Sequence, residues 1–414
     1  MRIEVLAIGN ELVGGMRSDT NSAFLANFLK RYGLDLSRIT VLPDDPNSIK
    51  SALIGASRES DIVFLSGGLG PTKDDMTKKV LSDFFSAELT ENKLAEDMVR
   101  KHYQRLSKTW NKKNGYHLIP RGFEAIFNHT GLAPGLMYRK EKKFFLAAPG
   151  VPSEFSAMVE KEFFPRLLKD IPGLQPMENL SLTVRTQGVP EEKIFQTLMP
   201  NLWNDLEKWG KVASLPRVMG VDIIISRLEN EESKKEIRKF LSNTPLAPHI
   251  WQIGNIPLNE WVLQKARQKK LSIVLAESCT GGLLASRLTD IPGSSSVFKG
   301  GVVAYSNACK QNILGVSEKT IRRYGVYSKE TAVEMAKGAR KILKGDIALS
   351  LSGVIGPQDD GETPVGTLAV GRDFSGESKG ELFFMKGDRS QLKERFVQKA
   401  LYLLLSILQK NDSL

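Results

Sequence analysis

Short apolar segments alternate with helical segments at two places in this chain, and this alternation limits the fold more than any other feature. Near the N-terminus, three apolar runs enclose two segments with helical spacing of apolar residues, at 3–8, 21–32, 36–41, 48–58 and 61–65. Strands that alternate with helices of this length form parallel sheets, because each connection crosses over one face of the sheet. A second pattern of this kind begins near residue 258. The sequence therefore predicts an α/β fold.

The 414 residues are enough for two or three domains. The first α/β pattern predicts a domain at residues 1–170. After Pro165 the pattern changes to a strand, a helix, a hairpin-like pair of strands and a helix, which predicts a small α+β domain at 175–253. The second α/β pattern, which ends in a long helix at 390–408, predicts a third domain at 256–414.

Composition and the search for targeting signals indicate the cellular compartment of the protein. No apolar run approaches the roughly 18 to 20 residues that span a bilayer, and residues 1–12 lack the cationic flank and cleavage site of a signal peptide. The two cysteines, Cys279 and Cys309, are too few for a disulfide framework. We expect a cytoplasmic protein that does not bind membranes.

The formal net charge of +11 is concentrated in one stretch. Eleven basic residues and only two acidic ones lie between Arg100 and Lys143. A basic excess raises nucleic acid as a possible partner. Because the rest of the chain is nearly neutral, we do not expect a general surface for polyanions.

A glycine-rich segment, SGGLGPTKDD at 66–75, follows the third predicted strand. Glycines let a ligand approach the backbone, and amides at the next helix can bind phosphate or carboxylate; the candidate substrate contacts are Gly67, Gly68, Gly70 and Thr72. Carboxylates in this and neighbouring loops are of the kind that hold magnesium or manganese beside a phosphate; the candidates are Glu11, Asp45, Asp74 and Asp75, with Asp44 next to them. A turn with an acidic helix cap is the alternative, and we favour the ligand site because glycines and acids cluster at several strand ends.

The segment LAESCTGG at 275–282 carries the sharpest chemical signal. It leaves a strand, turns on two glycines and enters a helix, so the hydroxyls of Ser278 and Thr280 lie beside free amides. No histidine follows His249, which excludes a Ser-His-Asp triad in the third domain. A serine activated by a lysine whose pKa is lowered by burial is the plausible hydrolytic machinery. Ser390 and Lys393 imitate a serine–lysine spacing, but they begin an amphipathic helix and we discount them.

These motifs resemble the CinA family of competence/damage-inducible proteins. The N-terminal resemblance rests on IGNELVGGMRSDTNS (8–22), SGGLGPTKDDMT (66–77), GLAPG (131–135) and APGVPSEF (148–155), and the C-terminal one on ESCTGG, YSNACK, PVGT and KGDR. It implies a three-layer α/β/α molybdopterin-binding-like domain, a KH-like linker domain and a C-terminal α/β/α nicotinamide-nucleotide amidohydrolase domain. The linker has no GxxG loop of the kind with which KH modules clamp nucleic acid, so we interpret it as a spacer or dimer-forming unit.

The resemblance also implies an activity for each outer domain. The C-terminal domain would hydrolyse nicotinamide mononucleotide without a metal, with Ser278 as nucleophile, Lys310 as base and Tyr305 in the proton network. Its remaining substrate contacts would be Thr280, Gly281, Gly282, Asn307, Gly356, Thr367 and Arg389. The N-terminal domain would cleave ADP-ribose with a divalent cation (magnesium, manganese or cobalt), and a homodimer is implied. Taken singly, Ser278 could instead cap a helix, Lys310 could be solvated and Tyr305 could belong to the core.

Two segments depart from the family pattern and keep other functions open. KNGYHLIP (113–120) stands where members carry an Asn-x-Lys-Gln-Ala run, and GVIGPQDDGE (353–362) replaces a glycine-rich run. We expect Asp359 and Asp360 to repel a phosphomonoester. One alternative is a nucleotide-binding or regulatory protein without catalysis; another is a competence or repair protein that binds nucleic acid through the Arg100–Lys143 stretch. We favour attraction of a diphosphate substrate as the role of that stretch.

Overall fold

The computed structural model describes residues 1–107, 110, 112–176 and 180–409, and the chain divides into two compact units, 1–179 and 180–414. The strands of the first unit are β1 (Ile3–Ile8), β2 (Arg38–Leu42), β3 (Ile62–Ser66), β4 (Leu89–Glu91), β5 (Leu118–Pro120), β6 (Glu124–Ile126), β7 (Gly135–Lys140) and β8 (Lys143–Ala148). Its helices are α1 (Asn10–Val13), α2 (Thr20–Leu29), α3 (Pro46–Glu59), α4 (Thr77–Phe85), α5 (Lys93–Arg105), α6 (Pro152–Met158) and α7 (Phe164–Asp170).

The main sheet of the first unit has the order β2-β1-β3-β8-β7-β6. Alternate residues of its strands pack on opposite faces, as the pleat requires. Ile62 and Phe64 of β3 join a core with α2, α6 and α7, whereas Val63 and Leu65 join a core with α3, α4 and α5. Helices therefore cover both faces, and the expected three-layer α/β/α arrangement is confirmed.

The prediction of a parallel sheet is correct only for part of this unit. Strands β2, β1, β3 and β8 are parallel, but β7 runs antiparallel to β8, and β6 in turn runs antiparallel to β7. Two residues, 141–142, connect β7 to β8, and a link this short can form a hairpin but not a crossover. The parallel strands end at one edge, where the loops after β1, β3 and β8 meet.

The second unit contains two sheets. Its strands are β9 (Leu182–Thr186), β10 (Lys211–Arg217), β11 (Gly220–Ser226), β12 (Ile250–Ile253), β13 (Ile273–Glu277), β14 (Phe298–Val303), β15 (Ile347–Gly353), β16 (Thr367–Phe374) and β17 (Glu377–Phe384). Its helices are α8 (Glu191–Lys193), α9 (Leu202–Glu207), α10 (Glu231–Ser242), α11 (Leu258–Lys269), α12 (Leu283–Thr289), α13 (Asn307–Asn312), α14 (Glu318–Tyr324), α15 (Lys329–Leu343) and α16 (Arg389–Gln409). Strands β9 to β12 form an antiparallel sheet, β10-β11-β9-β12, with its own apolar core.

The five-stranded sheet has the order β14-β13-β15-β16-β17, parallel at β14, β13 and β15 and antiparallel beyond. Ile273 and Leu275 of β13 pack with α11, α12 and α16, whereas Val274 and Ala276 pack on the other face with α15. This part is again a three-layer α/β/α arrangement of mixed strand direction. No helix that the structure describes is both long and apolar enough to cross a membrane.

Candidate functional site

The strand β13 lies between two parallel neighbours and delivers Ser278 to the edge of the sheet. The Ser278 amide donates a hydrogen bond to the carbonyl of Leu351 at the end of β15, 2.9 Å away, so the serine backbone is fixed to the sheet. The chain then reverses through Gly281 and Gly282, whose φ angles of 62° and 92° are in the left-handed region that favours glycine. The turn leads directly into α12.

The buried carboxylate of Glu277 organises this turn. One of its oxygens accepts hydrogen bonds from the Thr280 hydroxyl at 2.7 Å and from the amides of Gly282 and Leu284, each at 3.1 Å. Its other oxygen accepts from the Ala285 amide at 2.8 Å. Glu277 therefore occupies the position that the sequence pattern left open for a bound anion.

This arrangement corrects three predicted substrate contacts. The Thr280 hydroxyl and the Gly282 amide are bonded to Glu277, and the Gly281 amide donates to the carbonyl of Ser278 at 3.0 Å. Because these donors already have partners inside the protein, the three residues shape the turn and do not face the cavity. The signal that could have revealed this is Glu277 itself, a charged residue at the end of an otherwise apolar strand.

Lys310 is brought to the serine by α13. The hydroxyl of Ser306 caps this short helix by accepting from the Cys309 amide at 3.2 Å. The Lys310 side chain is 1% exposed, and its Nζ lies 3.0 Å from Ser278 Oγ and 3.1 Å from the carbonyl oxygen of Ala304. Lys310 is therefore not a solvated helix residue.

The surroundings of Lys310 favour its neutral form. Its hydrogen-bond partners are a hydroxyl and two carbonyls, since it also donates to Tyr305 O at 3.4 Å, and none is a carboxylate. Burial lowers the pKa of Lys310, because a charged ammonium loses its hydration there. A lysine in this state can accept a proton from a neighbouring hydroxyl.

A cavity of about 340 Å³ opens in front of the pair. Six of the predicted site residues line it, namely Ser278, Lys310, Tyr305, Asn307, Gly356 and Arg389. Thr367 does not line it. Tyr305 is 64% exposed, so it is not a core aromatic residue. Arg389 donates to the Gly356 carbonyl at 2.6 Å and lies 3.4 Å from the Tyr305 hydroxyl oxygen, which joins the segments 353–356 and 304–310 at the rim.

Further residues with polar side chains line the cavity, among them Asp359, Asp360 and Tyr327. Asp359 Oδ1 accepts from the Val365 amide at 2.6 Å, and Asp360 Oδ2 accepts from the Tyr327 hydroxyl at 2.6 Å. Burial, and to a smaller extent the hydrogen bond to Asp360, raises the pKa of Tyr327 to about 12. Tyr327 was not predicted from the sequence, because no motif surrounds it.

The first unit has its own cavity of about 600 Å³ at the edge where the parallel strands end. Six predicted residues line it, namely Gly67, Gly68, Gly70, Glu11, Asp74 and Asp75. Thr72 does not, because its amide donates to Asp75 Oδ2 at 2.9 Å and its hydroxyl bonds to the same oxygen.

Asp45, which was predicted as a metal ligand, does not line the cavity. It caps α3 by accepting from the amide and the hydroxyl of Ser48, each at 2.7 Å. Its neighbour Asp44 lines the cavity instead and accepts from the Asn10 amide at 2.8 Å. Burial raises the pKa of Asp44, and the negative charges of Glu11, Asp74 and Asp75 raise it further. Within the part of the chain that is described, no three acidic, histidine or cysteine side chains are close enough to form a ready metal cluster.

The stretch Arg100–Lys143 contributes uncharged residues such as Tyr116 and Gly131 to the wall of this cavity, but none of its described lysines and arginines lines it. Several of its cations pair with acids that lie elsewhere: Arg100 with Glu96, Lys112 with Glu91 and Glu96, Arg121 with Glu88, and Arg139 with Asp170. Lys108 lies outside the described residues. The cationic side chain on the cavity wall is Arg17, and His102 lies there as well. Ion pairs with acids outside the stretch therefore offset part of its positive charge, and the described arginine that lines the cavity is Arg17.

Comparison of the whole chain with known proteins decides the family. It is 34% identical over 412 residues to a competence-damage inducible protein of Thermoanaerobacter pseudethanolicus, and the match covers 97% of both chains. The chain belongs to the CinA family. This CinA protein is also 35% identical over 424 residues to a competence-damage inducible protein of Halothermothrix orenii, with 99% of both chains covered.

Two family models match separate parts of this CinA chain. Residues 4–169 match a family described as "Probable molybdopterin binding domain", and residues 255–408 match the CinA C-terminal domain. A crystal structure of a CinA protein from Thermoplasma acidophilum is 33% identical and covers 41% of this chain and 96% of its own, with a TM-score of 0.37. The family assignment made from the motifs is confirmed.

Proposed function

We propose that the C-terminal part of this CinA protein hydrolyses the carboxamide of nicotinamide mononucleotide to nicotinic acid mononucleotide and ammonia. The observation that supports this most directly is the buried Lys310 Nζ, 3.0 Å from Ser278 Oγ at the base of a cavity. A serine and a neutral lysine form a nucleophile and a base that need no histidine. The assay is ammonia release from nicotinamide mononucleotide.

In the proposed working state the Lys310 side chain is a neutral amine. Such an amine has two N–H donors and one lone pair. The donors are used by the carbonyls of Ala304 and Tyr305, which leaves the lone pair for the hydroxyl proton of Ser278. In the first step Ser278 Oγ forms a bond to the carboxamide carbon while its proton moves to Lys310 Nζ.

The tetrahedral intermediate then loses ammonia. The C–N bond breaks as the Lys310 ammonium returns a proton to the leaving nitrogen, and an ester to Ser278 remains. Water attacks this ester and gives a proton to Lys310; the bond between the carbonyl carbon and Ser278 Oγ then breaks, and Oγ takes that proton back from Lys310. The carboxylic acid product leaves and ionises by giving its proton to solvent. Each proton that Lys310 accepts is given back, so the enzyme returns to its starting form.

Side chains at the rim can hold the substrate during these steps. The side-chain amide of Asn307 has no protein hydrogen-bond partner in the described parts of the chain, so it is free to bond the reacting carboxamide. Arg389 is the cation on the wall that can contact an anionic group of the substrate. Tyr305 lies two residues before Asn307 in sequence, and its hydroxyl oxygen is within hydrogen-bond distance of Arg389.

The pH dependence follows from the lowered pKa of Lys310. Only the neutral amine can act as base, so kcat/KM rises with pH until the pH passes the folded-state pKa of Lys310, and then levels off. The rise is complete below the pH at which an ordinary lysine titrates. Rates measured from about pH 7 to about pH 10 avoid the phosphate titration near pH 6. A rate that falls over this range, or that still rises steeply at its upper end, would contradict the proposal.

For the N-terminal part we propose cleavage of ADP-ribose to AMP and ribose 5-phosphate. The observation in its favour is that Asp44, Glu11, Asp74 and Asp75 line one cavity, where burial first and then the negative charges of the other three raise the pKa of Asp44. Their hard oxygen donors suit a divalent cation, which would relieve this repulsion and draw a diphosphate to the glycine-rich loop. A bound cation would supply charge neutralisation at the diphosphate. Arg17 would attract the same group from the protein side.

This second activity depends on metal and on the cavity carboxylates. We expect manganese-dependent AMP formation that is abolished by excess chelator and lowered by about a hundredfold in Glu11→Gln or Asp74→Asn, because each substitution removes a charged oxygen donor. Asp97→Asn is the matched control, since Asp97 is exposed on α5 and does not line the cavity. AMP formation that persists in chelator would overturn this assignment without affecting the amidase proposal.

A further inference from the structure

Tyr116 lies on the wall of the cavity in the first unit, and the cleavage proposed above gives it no task. The residue is 7% exposed and belongs to the core cluster that includes Val80, Val99 and Ile119. Because the protein encloses most of the ring, the ring is not free to stack on a ligand. The group with which Tyr116 can act on a bound molecule is therefore its hydroxyl.

The Tyr116 hydroxyl has no hydrogen-bond partner among the residues that the structure describes, whereas the amide of the same residue donates to Asn114 Oδ1 at 3.4 Å. Burial is the main cause that raises the pKa of this phenol to about 12, and Tyr103 and the carboxylates of Asp75 and Glu154 raise it further. The phenol therefore keeps its proton at neutral pH and is an uncharged donor. A nearly buried donor without a protein partner indicates that a ligand or water supplies the acceptor.

Lys78 on α4 holds the loop that carries Tyr116. Its Nζ donates to the carbonyls of Gly115 at 3.0 Å and of Leu118 at 3.4 Å, which lie on either side of Tyr116 in sequence. The same nitrogen lies 5.8 Å from the centroid of the Tyr116 ring. Because the backbone on both sides of the tyrosine is tied to one side chain, the hydroxyl is held in a defined position on the wall.

The chemistry of the wall indicates which acceptor the hydroxyl meets. Ribose hydroxyls can donate as well as accept, so a carboxylate such as Glu154 suits them. Diphosphate oxygens only accept, and nearby carboxylates repel them, so they need donors such as Arg17 or an uncharged hydroxyl. Resting on the proposed ADP-ribose cleavage, we propose that the Tyr116 hydroxyl donates a hydrogen bond to an oxygen of the substrate's diphosphate, with Lys78 as its positioning residue. The segment 113–120, which departs from the family pattern, thus contributes a substrate contact of its own.

Tyr116→Phe tests the contact, because it removes the hydroxyl and leaves the ring in the core. We expect kcat/KM for manganese-dependent AMP formation from ADP-ribose to fall by about ten- to a hundredfold, which is the usual effect of losing a hydrogen bond to a charged group. Tyr138→Phe is the matched control, since Tyr138 packs against the same core cluster and does not line the cavity. It should change kcat/KM by about twofold or less.

Calorimetric titration of the full-length protein with ADP and with adenosine gives a readout separate from catalysis. Calcium replaces manganese, and chromatography verifies that ADP stays intact. We expect Tyr116→Phe to weaken ADP binding by about tenfold and adenosine binding by about twofold or less, because only ADP carries the diphosphate.

The titration also separates failure of the contact from failure of the proposed cleavage. An ADP affinity within about twofold of the wild-type value, an equal loss for adenosine, or no binding of ADP to the wild-type protein would overturn the proposed contact. Weakened ADP binding in the variant, when the wild-type protein does not cleave ADP-ribose, would support the contact and overturn the proposed cleavage alone.

Lys78→Met tests the positioning role in a double-mutant cycle, with circular dichroism to verify folding. In the wild-type background we expect the affinity for ADP to fall by about fivefold. In the Tyr116→Phe background the same substitution should lower it by about twofold or less, because the hydroxyl that Lys78 positions is absent. Equal losses in the two backgrounds would show that Lys78 acts independently of the hydroxyl and would overturn its positioning role.

Discussion

Replacing Ser278 by alanine, or Lys310 by methionine, is expected to lower ammonia release from nicotinamide mononucleotide by about a thousandfold or more. The two side chains are bonded to each other at 3.0 Å and act in the same step, so the double variant should be no slower than the worse single one. Ammonia release in a coupled assay, with circular dichroism to verify folding, measures this.

The variant Lys310→Arg tests whether Lys310 acts as a base or only contributes a positive charge beside Ser278. A guanidinium keeps its proton in proteins, so the arginine variant should be as inactive as the methionine variant. Lys299→Met is the matched control, since Lys299 is exposed in the same domain and donates to the Lys344 carbonyl. Substantial activity in Lys310→Arg would exclude Lys310 as the base. Tight binding of the nucleotide to the wild-type protein without turnover would instead favour a regulatory protein.

Removing the Glu277 carboxylate should produce the largest loss of stability in the C-terminal part. In Glu277→Ala three amides and one hydroxyl lose their buried acceptor, and a cavity is left at the end of β13. Hydrogen bonds to a charged group contribute about 1.5 to 3 kcal/mol each, and partial relaxation reduces their sum, so we expect the free energy of unfolding to fall by about 4 kcal/mol. Urea denaturation followed by circular dichroism measures this.

Two further variants define the source of that loss. Glu277→Gln keeps one acceptor oxygen but turns an NH₂ group toward backbone donors. The free energy of unfolding should therefore fall by about 2 kcal/mol, which is less than in Glu277→Ala. Glu318→Ala is the control, because Glu318 is exposed and pairs with the exposed Arg322, and it should cost less than about 1 kcal/mol. A loss in Glu277→Ala no larger than that of the control would show that the turn is held by its glycines alone.

The sequence predicts best those elements that carry large apolar side chains in a regular pattern. The central strands and α16 are of this kind, and α16 spans Arg389–Gln409 against a predicted 390–408. Helix α15 was not predicted, although it packs on the central sheet. The residues it buries are mostly small, namely Thr331, Ala332, Ala336, Gly338 and Ala339 beside Met335, so few large apolar side chains mark its buried face in the sequence. Gly338 fits because a Cβ there would collide with the backbone of Leu314.

The candidate site was predicted at the level of segments more reliably than at the level of side chains. Asp44 and Asp45 are adjacent in sequence, yet one lines the cavity and the other caps a helix. Ser278 and Thr280 are two residues apart, yet one faces Lys310 and the other faces Glu277. Motif spacing places a loop at a sheet edge, but the direction of each side chain depends on turn geometry and on partners distant in sequence.

The Glu277 carboxylate also separates chemistry from recognition. In nucleotide-binding folds a strand–turn–helix edge often leaves its amides vacant for a phosphate, but here the side chain of Glu277 accepts hydrogen bonds from them. Ser278 thus stands on a turn that the protein itself holds in place. The other polar residues of the cavity wall lie on other segments, at 305–307, 356–360 and 389. Substitutions in those segments can change which amide is accepted while the serine and the lysine keep their geometry, so substrate range can evolve independently of the reaction.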